Sequence, residues 1–272
     1  MKGATPLASA STLRLAVVGK GGVGKTTVCA TIARTLARRG RRVLVLDHDS
    51  MPGLSTSLGM QRADEPRLNA AMKQGEDRRY RFVEGLDPVS AAQRFAIDGP
   101  DGIRVLQVGK STIAGPDAVQ ASVNAFYEIV RHLEHAPQFS GWAIVGDLPA
   151  GGRQPGCGWT PYATHFLLVV EATWQSMLTA RRIRRIANEI RPDARVSLVV
   201  SKAAGPTDVG RISAFLGMPV FGVIPLDDDV RSAERVGVPV FEHAPASAAV
   251  AAITQIAARL DAEQHELAPA HA

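Results

Sequence analysis

The run Gly19-Lys20-Gly21-Gly22-Val23-Gly24-Lys25-Thr26-Thr27 packs four glycines, two lysines and two hydroxyls into nine residues. Its spacing satisfies G-x-x-x-x-G-K-[ST], in which glycines let successive backbone N–H groups curl around a phosphate without Cβ clashes. A helix beginning where the run ends adds a partial positive charge aimed at the same spot. Lys25 suits the β and γ oxygens of a nucleoside triphosphate. The Thr26 hydroxyl suits a Mg²⁺ whose other ligands are mainly phosphate and water oxygens. Three carboxylates follow in two short runs, Asp47-His48-Asp49-Ser50 and Asp147-Leu148-Pro149-Ala150-Gly151-Gly152. Acidic groups beside a phosphate loop can hold metal-bound water or orient an attacking one, which is what γ-phosphoryl transfer requires of a protein. His48 is expected to point away as a structural side chain. Lys20 is left over, because a cradle built by one chain does not need it.

The elements that would position these residues are legible as apolar runs. Leu13–Val18 reads as a buried strand, Thr26–Arg38 as an amphipathic helix ended by Gly40, and Arg42–Leu46 as a second buried strand. Further strands are expected at Ile103–Val108, Trp142–Val145, Phe166–Val170, Val196–Val200 and Val220–Ile224. Helices are expected near Val119–His132, Gln175–Ile190, Asp208–Leu216, Val230–Val236 and Ala246–Leu260. Alternation of this kind predicts an α/β fold with a doubly wound, mostly parallel sheet of seven to eight strands and right-handed crossovers. Ligands of such sheets sit at the carboxyl ends of the strands, where the first glycine turn lies. The expected organisation is a flexible leader over 1–12, one domain over 13–262 with a peripheral insertion of helices and loops at 60–102, and a flexible tail over 263–272.

Composition narrows the class. Hydrophobic residues make up 46% of the 272 and charged residues 21%, which argues against a disordered or fibrous chain. No apolar run approaches the ~20 residues of a membrane-spanning helix, and the first dozen residues lack the apolar stretch of a signal peptide, so a cytoplasmic location is expected. Two cysteines, Cys29 and Cys157, cannot build a disulfide framework. The formal charge of +5 comes from arginine clusters at Arg38–Arg42, Arg78–Arg81 and Arg181–Arg185. Such clusters are read first as solvated helix faces, and second as footprints for nonspecific DNA or an acidic partner.

Lys20–Thr26 also matches K-G-G-x-G-K-[ST] at every fixed position, and so resembles the deviant Walker A ATPases of the MinD, ParA, nitrogenase iron protein and CooC type. The resemblance implies ATP and ADP as ligands, Mg²⁺ as cofactor and an ATP-dependent homodimer in which Lys20 reaches phosphates bound by the other subunit. It makes Asp47–Asp49 switch I, with Asp49 positioning the hydrolytic water and Asp47 supporting Mg²⁺ through water. It makes Asp147 the Walker B-like metal residue of switch II, with Gly151 reporting the γ-phosphate by its backbone N–H. Val223–Arg231 and Gly237–Val240 resemble the stretch that packs against adenine in the MinD and CooC branch, which brings in Pro225. Lys202, in Ser201-Lys202 where many relatives carry a base-reading Asn, is expected to cover the base with its stem.

Cysteines sort the branches. Ala150 stands where the iron protein has a cluster ligand, and Gly109–Asp117 lacks the C-x-C of CooC, although Val105–Gly109 and Val170–Thr173 look CooC-like. Cys157 is the remaining thiol that could serve at a dimer axis, and two thiolates alone make a poor zinc site. The tail lacks the basic amphipathic character of a membrane anchor. The expectation is an accessory, maturation or assembly factor acting on an unidentified protein client, with a positioning ATPase of the ParA or MinD kind, working on DNA or a polymer, as the alternative.

Overall fold

A computed structural model describes residues 12–49, 53–60, 67–109, 115–152, 158 and 160–266. Strand β1 (Arg14–Gly19) runs into helix α1 (Lys25–Arg38) and returns as β2 (Val43–Asp47), every residue of both strands being buried. The turn after α1 is closed by Gly40, whose φ of +83° is open to glycine and strained for other residues. After the short α2 (Leu54–Leu58) come the hairpin β3 (Met72–Gln74) and β4 (Tyr80–Phe82), helix α3 (Pro88–Phe95), and strands β5 (Ile97–Asp98) and β6 (Arg104–Gln107). Asp87 caps α3 by accepting from the Val89 and Ser90 amides. The chain continues through α4 (Gly115–His132), β7 (Ala143–Asp147), β8 (His165–Val170), α5 (Trp174–Ile190) and β9 (Arg195–Ala203). It ends with α6 (Pro206–Leu216), β10 (Val220–Pro225), α7 (Asp228–Val236), α8 (Val240–His243) and α9 (Ala248–Glu266).

The eight-stranded sheet has the order β10-β9-β8-β1-β7-β2-β6-β5 and is parallel throughout except for β5, which pairs antiparallel with β6. The pleat sends alternate residues to opposite cores. Ala16 and Val18 of β1 join α4, α5 and α6 on one face, and Leu15 and Val17 join α1 and α9 on the other. The sheet is therefore doubly wound, as its apolar runs predict. The 60–102 segment departs from its expected peripheral place. Ile97–Asp98 adds the sheet's edge strand, and Leu68, Ala71, Ala91 and Ala92 are buried in the α4 core, because small apolar side chains at helical spacing can dock where a polar segment could not. No helix among the described residues is long and apolar enough to cross a membrane. Residues 1–11 and 267–272, which hold most of the expected leader and the end of the tail, lie outside the described residues, as do Cys157 and residues 110–114.

Candidate active site

The central strands β1, β7 and β2 deliver the site. Register puts Asp47 directly opposite Asp147 on β2 and β7, and Asp147 opposite Val17 on β1, so both carboxylates emerge at the strand ends next to the glycine loop. Gly24 caps α1 with a left-handed φ of +93°, and at Gly19 a Cβ would strike the Val169 carbonyl on β8. Each position needs glycine for a different reason, one conformational and one steric. Gly21 lies against Ala150 of the second acidic run, Val23 is fully buried beneath the loop, and Thr26 and Thr27 open the first turn of α1.

Lys25 is buried, donating to the Lys20 carbonyl at 3.2 Å. Burial lowers its pKa, against the pull of Asp147 and then Asp49. The two facing acids are strained the other way. Burial, then the charge of Asp147, pushes the Asp47 carboxyl well above the usual carboxylate range, while burial raises Asp147 against a hydrogen bond from the Thr26 hydroxyl and the charge of Lys25. Asp47 Oδ1 accepts from the Asp49 amide at 3.1 Å, which folds the first acidic run back on itself. Among the described residues, Asp47 Oδ2 and Asp147 Oδ1 are buried and find no hydrogen-bond partner. Two unsatisfied carboxylate oxygens at adjacent strand ends, beside a threonine hydroxyl, fit a hard cation with oxygen ligands, so Thr26, Asp47 and Asp147 suit Mg²⁺ held directly or through water.

The expected base-side residues come together as well. Lys202 and Pro225 line a cleft of about 150 Å³ with Gly24 and Thr27, between the ends of β9 and β10 and the start of α1. The Lys202 ammonium turns back to the loop, donating to the Gly22 carbonyl at 2.5 Å with Glu171 3.8 Å away. Gly151 departs from its expected posture, since its N–H donates to the Gly19 carbonyl at 3.0 Å and the run thereby closes onto the loop. His48 is buried away from the loop as expected, with Nε2 3.3 Å from the Tyr162 hydroxyl and its ring edge-on to Phe126. Burial alone takes its pKa down to about 3.

One residue of the site escaped the sequence reading, and another makes a bond it did not foresee. Glu171, just past β8, sits 3.9 Å from Lys20 and 3.8 Å from Lys202, so one carboxylate holds the surplus lysine and the base-side lysine within the same chain. Its place at the carboxyl end of a buried strand was the available signal. Ser201 donates from Oγ to the Val23 carbonyl at 2.9 Å and braces the loop.

Comparison with known proteins agrees with this geometry. Residues 15–240 match the CobQ/CobB/MinD/ParA nucleotide binding domain. The chain is 29% identical over 255 residues to an uncharacterized ATP-binding protein of Methanocaldococcus jannaschii, covering 91% of this chain and 87% of that one. It is 26% identical over 251 residues to the carbon monoxide dehydrogenase accessory protein CooC of Rhodospirillum rubrum, covering 86% and 91%. Among solved structures, the septum site-determining protein MinD of Pyrococcus horikoshii, complexed with Mg-ADP, superposes with a TM-score of 0.69 at 19% identity over 92% of this chain and 96% of that one. A ParA family ATPase of Chlorobium tepidum does so at 0.69 and 21% over 91% and 98%. With the family's domain matched over residues 15–240, most of its length, the chain belongs to the CobQ/CobB/MinD/ParA nucleotide-binding family of MinD/ParA-like P-loop ATPases.

Proposed function

We propose that residues 13–262 form one MgATP-hydrolysing switch, which dimerises when ATP is bound and acts as an accessory or assembly factor on a partner protein. The observation carrying this reading is the buried cation Lys25 beneath a glycine loop, flanked by two facing acids with unsatisfied oxygens. Such an arrangement is costly unless a polyanion and its counter-cation complete it. Glycines 19, 21, 22 and 24 with Val23, Thr26 and Thr27 cradle the phosphates, Lys25 neutralises the β and γ oxygens, and the cleft at Lys202 and Pro225 takes the base. Thr26, Asp47 and Asp147 hold Mg²⁺, which when bound offsets charge developing on the phosphate oxygens. Asp49 orients water toward the γ-phosphorus. Gly151 leaves Gly19 to donate its N–H to the γ-phosphate, and Lys20 leaves Glu171 for phosphates of the partner subunit. The client role is supported by the likeness to an accessory protein for carbon monoxide dehydrogenase.

The test is calorimetric titration of ATP with Mg²⁺ present and after chelation by EDTA, paired with phosphate release. Binding that depends on Mg²⁺ and is lost in Lys25→Ala is the expected result. Undiminished phosphate release by Lys25→Ala would overturn the reading.

A further inference from the structure

The β3–β4 hairpin stands off helix α4 to leave a groove of about 830 Å³ that shares no lining residue with the base cleft. Its rim is arginine. Arg78, Arg79 and Arg81 come from the hairpin and Arg131 from α4. Arg81 is held by Asp77 at 2.6 Å and Arg131 by Glu128 at 3.1 Å, whereas among the described residues Arg78 and Arg79 make no ion pair. Arg78 sits in the tight turn of the hairpin with φ of +62°, so the backbone is bent to present this pair outward. The walls are half-buried aromatic and apolar surface from Tyr80 and Phe82, and the α4 side supplies the amides of Gln120 and Asn124.

We propose that this groove docks an acidic, extended segment of the client protein, a proposal resting on the partner-directed reading above. Guanidinium forks match carboxylates in bidentate geometry. Side-chain amides meet a peptide backbone, and a volume of this size holds a few residues of chain. A nucleic acid fits less well. The Tyr80 hydroxyl is tied to the Asp117 carbonyl at 3.3 Å and Phe82 packs against the core, so neither ring is a free platform for base stacking, and two of the four arginines are already neutralised. The groove also touches the switch. Tyr127 lines it, and the same ring lies 6.1 Å from that of His48, between Asp47 and Asp49. Occupancy of the groove and the state of the acidic run are therefore linked through one packed contact, and such a link acts in both directions.

Fluorescence anisotropy with labelled poly-L-glutamate tests this on the full chain, with and without MgATP and with MgATP binding measured in parallel. Arg78→Glu/Arg79→Glu should weaken binding by about tenfold or more, as expected for losing two charge-assisted contacts. The same charge change on α5, Arg181→Glu/Arg182→Glu, should have a much smaller effect. MgATP should shift the wild-type affinity. Equal losses in both double variants, no binding by the wild type, or tighter binding of a labelled oligo-dT lost with the same groove arginines would overturn the proposal. Equal affinity with and without MgATP, in protein that binds MgATP, would overturn the link. Protein that fails to bind MgATP yet loses polyglutamate in the groove variant would uphold the groove and contradict the switch.

Discussion

Lys25 illustrates how much of the site is decided by single residues held against their preference. Its ammonium is buried and answered chiefly by Asp147, whose carboxylate is itself disfavoured by burial. Removing it leaves the phosphate cradle without its cation, so Lys25→Ala should lose MgATP binding or lower turnover about 100-fold or more, as deletion of a preorganised electrostatic group does. Asp49→Ala should behave differently. Orienting water matters to the transition state more than to ground-state binding, so phosphate release per bound ATP should fall about 100-fold while the MgATP dissociation constant changes little. Loss of binding with unchanged turnover per bound ATP would assign Asp49 another role. Glu171 has the opposite sign. It keeps Lys20 within its own chain through a partly buried pair at 3.9 Å. Such pairs contribute only ~0–1 kcal/mol each, and both subunits would release one, so Glu171→Gln should tighten ATP-dependent association by at most about 30-fold, read by sedimentation. A weaker dimer would mean that Glu171 itself contacts the partner subunit.

Elements were read where apolar period and glycine punctuation agreed. All seven expected strands are present, and α1 starts and stops where the loop and Gly40 require. The loop residues and strand-end acids were equally legible, because their chemistry fixes both residue type and spacing. Neither the edge strand β5 nor the β3–β4 hairpin was, since two- and three-residue strands carry no period and their pairing is set by distant partners. Glu171 was hidden for a related reason, as nothing local says that its carboxylate meets Lys20 from another strand. The same long-range pairing buries His165 of β8 against Ser197 of β9, with Nε2 2.8 Å from Oγ, and burial lowers the imidazole pKa from 6.5 to about 4. A histidine whose folded pKa is depressed favours folding above its unfolded pKa, and that contribution is lost as pH falls from 6.5 toward 4. Between about pH 7.5 and pH 5 the loss from His165 should be on the order of 2 kcal/mol, with His48 adding to it in the same direction. Urea unfolding at the two pH values measures the drop, and His165→Gln should flatten it. An unchanged pH slope in that variant would place the acid sensitivity elsewhere.

On the scale of the whole molecule, the proposed cycle asks three contacts seen within one chain to exchange for contacts to nucleotide. The Gly151 amide leaves the Gly19 carbonyl, Lys202 yields the cleft beside Pro225, and Lys20 leaves Glu171. Lys20 stands apart because the cradle of its own chain does not use it, so its charge reports directly on whether two chains close over ATP. The decisive measurement is analytical ultracentrifugation of Asp49→Ala, whose expected slow hydrolysis should keep ATP intact, alone and combined with Lys20→Ala. ATP, and not ADP, should drive the single variant to a dimer. Adding Lys20→Ala should weaken that dimer about 100-fold or more while monomeric nucleotide binding persists, since a symmetric dimer loses two charge-assisted contacts to phosphate, each contributing about 1.5–3 kcal/mol. An ATP-bound protein that stays monomeric, or a dimer indifferent to Lys20, would contradict the switch.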